Sequence, residues 1–230
     1  MIVAIDGPAG SGKSSTARAV ARRLGFHHLD SGAFYRTLTL AALRAGIPAE
    51  SWPRLGPDDL EGLAVSARPA DRGYRFFVAG EDVTEEIRAP EVNAHVSRMA
   101  RIRAVRQWLL AQLRRAAEGQ DLVADGRDMG TVVFPHADLK IFLTASPETR
   151  ARRRLAERDI TDPDPDTLRA ETERLLERDR IDSEREVAPL RRADNAVLID
   201  TTGLGFAEQV DRVVQLIEAR RRSGPGRLGD

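Results

Sequence analysis

Cysteine is absent from the 230 residues. A disulfide framework, a thiolate zinc site and a cysteine nucleophile are therefore excluded. Aromatic residues make up 5% of the chain, and Trp52 and Trp108 read as packing residues rather than base-stacking platforms. No stretch approaches the ~18 uninterrupted apolar residues of a membrane-spanning helix. Met1-Ile2-Val3-Ala4-Ile5 runs directly into Asp6 and Gly7, with no basic leader and no small-residue cleavage site. A cytoplasmic chain with no membrane partner is expected. An excess of one charge is also lacking, since 36 basic residues balance 36 acidic ones. That argues against a nucleic-acid partner while leaving local basic pockets open. Lysine is almost missing: Lys13 and Lys140 stand alone among arginines, a bias that coding composition or heat adaptation would each produce.

What is present suits one α/β domain carrying insertions, with 41% hydrophobic residues for a core and 31% charged residues for a surface. An apolar run, Ile2–Ile5, leads into Gly7-Pro8-Ala9-Gly10-Ser11-Gly12. Ala17, Val20, Ala21 and Leu24 then follow a helical spacing that stops at Gly25. A second strand is predicted at His28–Asp30, with Ser31 as N-cap of a helix reaching Leu43. Residues 49–90 are broken by prolines; Val65–Arg68, Tyr74–Val78 and Asp82–Thr84 are predicted to form a small antiparallel sheet. One or two amphipathic helices span Pro90 to Ala117. Apolar strands at Leu122–Ala124, Leu139–Leu143 and Ala196–Ile199 alternate with helices at Ser146–Arg158, Pro165–Glu186 and Phe206–Arg221. That alternation implies a parallel sheet covered on both faces.

Gly7 to Ser14 spells Gly-x-x-x-x-Gly-Lys-Ser, the phosphate-loop pattern, between a strand and a helix. The glycines let backbone N–H groups converge on phosphate oxygens at the positive end of the following helix. Lys13 can reach the β- and γ-phosphates, and the Ser14 hydroxyl can ligate Mg²⁺. One of two lysines thus falls where a compact ammonium is wanted. A nucleoside triphosphate is the expected ligand. With no further lysine available there is no Asn-Lys-x-Asp guanine reader, which disfavours a switch GTPase and favours a kinase of a small acceptor. His27, His28, His95 and His136 lack metal-ligand spacing and are expected to be structural or exposed.

At Asp30-Ser31-Gly32-Ala33-Phe34-Tyr35-Arg36 and at Asp125-Gly126-Arg127-Asp128-Met129-Gly130-Thr131-Val132-Val133-Phe134-Pro135 the sequence resembles the bacterial cytidylate kinases, within the nucleoside monophosphate kinase superfamily. Gly7–Ser15, Gly80–Thr84, Glu86–Arg88 and Val187–Leu190 carry the same resemblance. It implies an ATP- and Mg²⁺-dependent kinase of CMP and dCMP, acting as a monomer. The phosphate loop, Gly7 through Ser15, would hold ATP. Arg36 and Arg127 would hold the acceptor phosphate, while Ser31, Ser97, Arg106 and Asp128 would join the substrate site. An aspartate suits the cytosine amino group, where uracil presents a carbonyl. Arg178, Asp182 and Arg185, at i, i+4 and i+7 on one predicted helix face, would meet the nucleoside. Arg150, Arg153 and Arg154 are candidates for the transferring phosphoryl group, with Arg150 and Arg154 favoured alongside Lys13 and Arg127 as catalytic.

The expected organisation is one kinase domain over about 1–222, with core segments 1–48, 91–145 and 190–222. An acceptor-binding insertion covers 49–90, a helical lid 146–165, and a flexible tail 223–230. Read without the resemblance, the Glu- and Arg-rich stretch 171–186 is a solvated, salt-bridged face, and Ser97 a plain helix serine. The alternatives are a kinase for another small acceptor, such as UMP or shikimate, and a nucleotide-binding switch module without transfer activity.

Overall fold

The computed structural model describes residues 1–71 and 73–223. Five strands form a parallel sheet: β1 (Ile2–Asp6), β2 (His27–Asp30), β6 (Leu122–Gly126), β7 (Leu139–Thr144) and β8 (Val197–Asp200), in the order β2-β6-β1-β7-β8. Helices α1 (Lys13–Leu24), α2 (Ser31–Arg44), α3 (Pro57–Gly62), α4 (Pro90–Met99), α5 (Arg103–Ala116), α6 (Pro147–Ala156), α7 (Pro165–Ser183) and α8 (Phe206–Ser223) accompany it. A separate antiparallel sheet joins β3 (Val65–Ala70), β4 (Gly73–Val78) and β5 (Glu81–Asp82).

Alternating side chains along β1 explain the layering. Val3 and Ile5 pack with Ala17, Val20, Val213 and Ile217 of α1 and α8, whereas Ala4 joins Leu38, Leu109 and Leu113 of α2 and α5 on the opposite face. Each fully buried aliphatic or aromatic side chain contributes roughly 1.5–3 kcal/mol. The second core extends without a break into the region 49–90, through Trp52, Leu60, Phe76 and Ile87. The insertion is thus packed into the main body. Its prolines do not abolish helix: Pro57 occupies the first turn of α3, where its missing N–H costs nothing.

Several boundaries differ from expectation for local reasons. Asp30, not Ser31, caps α2, its carboxylate accepting from the Ala33 N–H. Ser31 instead donates its hydroxyl to the Asp125 carbonyl at 2.8 Å. The third antiparallel strand pairs through Glu81 and Asp82, leaving the Thr84 hydroxyl to receive the Phe76 N–H. α7 ends at Ser183, so Arg185 lies beyond the helix. Ser223 belongs to α8, and the rest of the expected tail lies outside the described residues. Among the described residues, no helix is long and apolar enough to cross a membrane.

Candidate active site

Parallel pairing aligns the carboxyl ends of the central strands. Asp6 lies opposite Gly126, and Asp30 opposite Asp125. Ligands of open α/β sheets collect at such an edge, and here it opens into a cleft of about 380 Å³. One wall is the phosphate loop. Gly7 approaches the next strand so closely that a Cβ would lie 2.1 Å from the Leu143 carbonyl oxygen. Gly12 caps α1 at φ 84°, a left-handed conformation that glycine adopts without strain. Ala9, Gly10, Gly12, Lys13, Ser14 and Ser15 border the cleft; Gly7, Pro8 and Ser11 shape the loop from behind. Lys13 donates to the Pro8 carbonyl at 3.2 Å. Burial pushes its ammonium down to about 7, and the Arg127 charge adds to that displacement.

The floor holds oxygen donors. The Ser14 hydroxyl donates to Asp125 Oδ2 at 2.5 Å, while Asp125 Oδ1 meets His28 Nε2 at 2.8 Å. Asp125 was not singled out in the sequence, although it opens the quoted Asp-Gly-Arg-Asp run. His28 is buried, as a structural histidine should be, and fixes the carboxylate from behind.

The far wall is rich in guanidinium groups. Arg36, Arg88, Arg127, Arg154 and Arg178 all line the cleft. Arg88, the one contribution to this lining among the described residues of 49–90, pairs with Asp30 at 3.1 Å. Burial raises the Asp30 carboxyl, but Arg36, His28 and Arg88 outweigh it and hold the group below its ordinary range. Arg127 Nε donates to Asp182 at 2.8 Å. Burial pushes the Arg178 guanidinium down, with Arg127's charge acting in the same direction. Such crowding of like charge marks a place built for an anion.

Ser97, Arg106, Asp128 and Arg185 close the other end of the cleft, beside Tyr35 and Val96. Arg106 makes a buried ion pair with Asp128, donates to the Ala100 carbonyl, and stands 5.5 Å over the Tyr35 ring. Burial lowers the Arg106 guanidinium, but Tyr35 and Asp128 more than restore it. Arg185 donates to Ala188 at 2.7 Å and remains in the cleft despite lying past the end of α7.

Of the three lid candidates, Arg154 faces the cleft and pairs with Glu157 at 2.6 Å. Arg153 turns away to Thr201. Arg150 is also directed elsewhere, giving hydrogen bonds to Ala9 and Ala145 carbonyls and an ion pair to Asp179. In this arrangement Arg150 supports the phosphate loop from beneath. Helical spacing could not separate these roles, because the loop's position relative to α6 is a tertiary fact.

Fold and site together define a phosphate-loop phosphotransferase, with the glycine-rich loop facing an arginine-lined cleft. A cytidylate kinase family model matches residues 3–219, and this chain belongs to that family. Cytidylate kinases of Exiguobacterium sibiricum, Geobacillus thermodenitrificans and Mycobacterium leprae are 44%, 45% and 45% identical to it. The matches cover 94%, 95% and 96% of this chain and 96% of each relative.

Proposed function

We propose that the chain transfers the γ-phosphoryl group of ATP directly to the 5′-phosphate of CMP or dCMP, releasing ADP and CDP or dCDP. The observation that carries this reading is the buried Arg106–Asp128 pair at the end of the cleft away from the phosphate loop. Asp128 accepts from the cytosine N4 amino group, and Arg106, Ser97 and Arg185 offer donors to the carbonyl edge of the base. Arg36 and Arg127 bind the acceptor phosphate, suited by their fork to paired phosphate contacts. Asp182 takes a ribose hydroxyl, with Arg178 alongside.

The acceptor phosphate is itself the nucleophile, so no covalent enzyme intermediate and no strong base are needed. Catalysis is positioning and charge neutralisation. Lys13 exchanges the Pro8 carbonyl for phosphate oxygens. Arg154, at the rim, approaches the transferring group, while Arg150 keeps the phosphate loop in shape. Mg²⁺ suits the hard oxygen donors of Ser14 and Asp125, which adjoin on the floor, and when bound it neutralises phosphate charge. The region 146–165 acts as a lid, and 49–90 shapes the acceptor side from behind while contributing Arg88 directly.

The test is ADP formation from Mg·ATP with CMP, dCMP, UMP, AMP, GMP and shikimate. Turnover concentrated on CMP and dCMP is expected. Asp128→Asn should lower kcat/KM for CMP at least about 100-fold while ATP binding persists, since it breaks a buried charge pair and reverses half of a hydrogen-bonding edge. Preferred turnover of another acceptor, or an unchanged CMP preference in that variant, sinks the base-reading assignment.

A further inference from the structure

The end of β1 carries a carboxylate that neither phosphate binding nor base contact uses. Asp6 is 4% exposed. Its Oδ1 accepts from the Met129 N–H and its Oδ2 from the Gly130 N–H, each at 2.8 Å. Both donors belong to a π-helical turn, Met129–Val133, whose N-cap is Asp128. The turn closes on itself through Val132 and Val133 N–H groups donating to the Asp128 carbonyl. Those bonds do not set its angle to the sheet. Two outside anchors do: Asp6 grips the first two amides from a central strand, on the Asp128 side, and Arg114 of α5 donates to the Val132 and Val133 carbonyls at the far end. The fit is tight: a Cβ on Gly130 would lie 3.4 Å from Asp6 Oδ2 and 3.2 Å from Lys140 carbons.

We propose that Asp6 is a positioning residue for base selection, holding the turn so that Asp128 presents its carboxylate to the acceptor base. The inference rests on the base-reading role proposed for Asp128. An ionised carboxylate accepts fully from both amides; protonation weakens one of the two acceptors, and an asparagine side chain sets a donor against one amide. Three charged groups bear on Asp6: Asp128 from the turn, Lys13 from α1 and Lys140 from β7, beside Gly130. Burial pushes the Asp6 carboxyl up to about 7; the two amides oppose this, Asp128 adds to it, and Lys13 counters it. Base selection therefore carries a pH dependence near neutrality. As Asp6 takes up a proton through that range, one of its two accepting oxygens weakens and discrimination should fall.

The experiment is kcat/KM for CMP and for UMP with the full chain, compared as a ratio. Both acceptors carry the same phosphate, so its own ionisation cancels. Asp6→Asn should reduce the CMP-over-UMP ratio about tenfold, with KM for ATP held within about twofold. Placed on Asp128→Asn, the same change should reduce the ratio no further, as expected for residues acting through one another. In the wild type the ratio should fall from about pH 8 to about pH 6, and in Asp6→Asn it should be flat. An undiminished ratio in folded Asp6→Asn overturns the proposal, and so does an equal loss in both backgrounds. Should Asp6→Asn fail to fold, Gly130→Ala takes its place, since its Cβ would lie 3.4 Å from Asp6 Oδ2 and press the turn off the carboxylate; an undiminished ratio there overturns the proposal. A wild type with no CMP preference at any pH removes the base-reading role and this proposal together. A preference that ignores Asp6 removes only the latter.

Discussion

Lys13 destabilises the protein that depends on it. Its ammonium is pushed from 10.5 to about 7, chiefly by burial and then by Arg127. Between those pH values the unfolded chain binds the extra proton, so this residue's contribution to stability improves as pH rises through that window. At and below pH 7 the folded protein holds a buried charge with its full penalty. Lys13→Met should therefore melt higher than wild type at pH 7 without ligand, by at least about 2 °C, which corresponds to roughly 1 kcal/mol for a chain this long. The gap should narrow toward pH 10. Turnover with every acceptor should meanwhile drop at least about 100-fold. Thermal melts at three pH values and one rate measurement check all of this; a lower melting temperature at pH 7 contradicts the burial argument.

The α6–α7 pair shows what pattern reading reaches and where it stops. Both helices were expected from the sequence, and the structure shows what starts them: Ser146 and Asp164 cap them, and a proline opens each. Which arginine points where was not legible. Ala9 of the phosphate loop is held on both sides, its N–H donating to Asp179 at 3.3 Å and its carbonyl accepting from Arg150 at 3.0 Å. Those partners are 170 and 141 residues away in sequence. No local spacing encodes such contacts. Asp6 escaped notice for the same reason, since its partners are supplied by a turn 123 residues later. By contrast Lys13 and Ser14 sit in a phosphate-loop run whose chemistry can be read directly, and Arg127 and Asp128 in the contiguous run that carries the family resemblance. The Ala9 clamp makes a prediction at this scale. Asp179→Ala leaves the Arg150 guanidinium buried without its carboxylate, which costs roughly 3–5 kcal/mol for a buried pair. KM for ATP should rise several-fold and the melting temperature fall, while KM for CMP changes less. A selective loss of CMP affinity in that variant would show that the clamp does not serve the loop.

At the scale of the whole molecule, the phosphate loop and the Arg127–Asp128 segment follow neighbouring strands of one sheet, and a monomer is expected. A single chain should therefore be fully active, and specific activity should stay constant on dilution from micromolar to nanomolar concentrations. Activity that falls on dilution would point to an assembly that completes the site. The guanidinium-lined cleft has another consequence, for the solution rather than the enzyme. Anything that binds the folded state alone stabilises it by RT ln(1 + [L]/Kd), and the cleft lined by Arg36, Arg88, Arg127, Arg154 and Arg178 should take small oxyanions if the proposed phosphate-binding role holds. Melting temperature should rise with inorganic phosphate at constant ionic strength, and Arg127→Ala should blunt that rise. A protein stored in phosphate and one stored in chloride are then different thermodynamic objects, and inhibition constants measured in phosphate buffer include the cost of displacing the buffer.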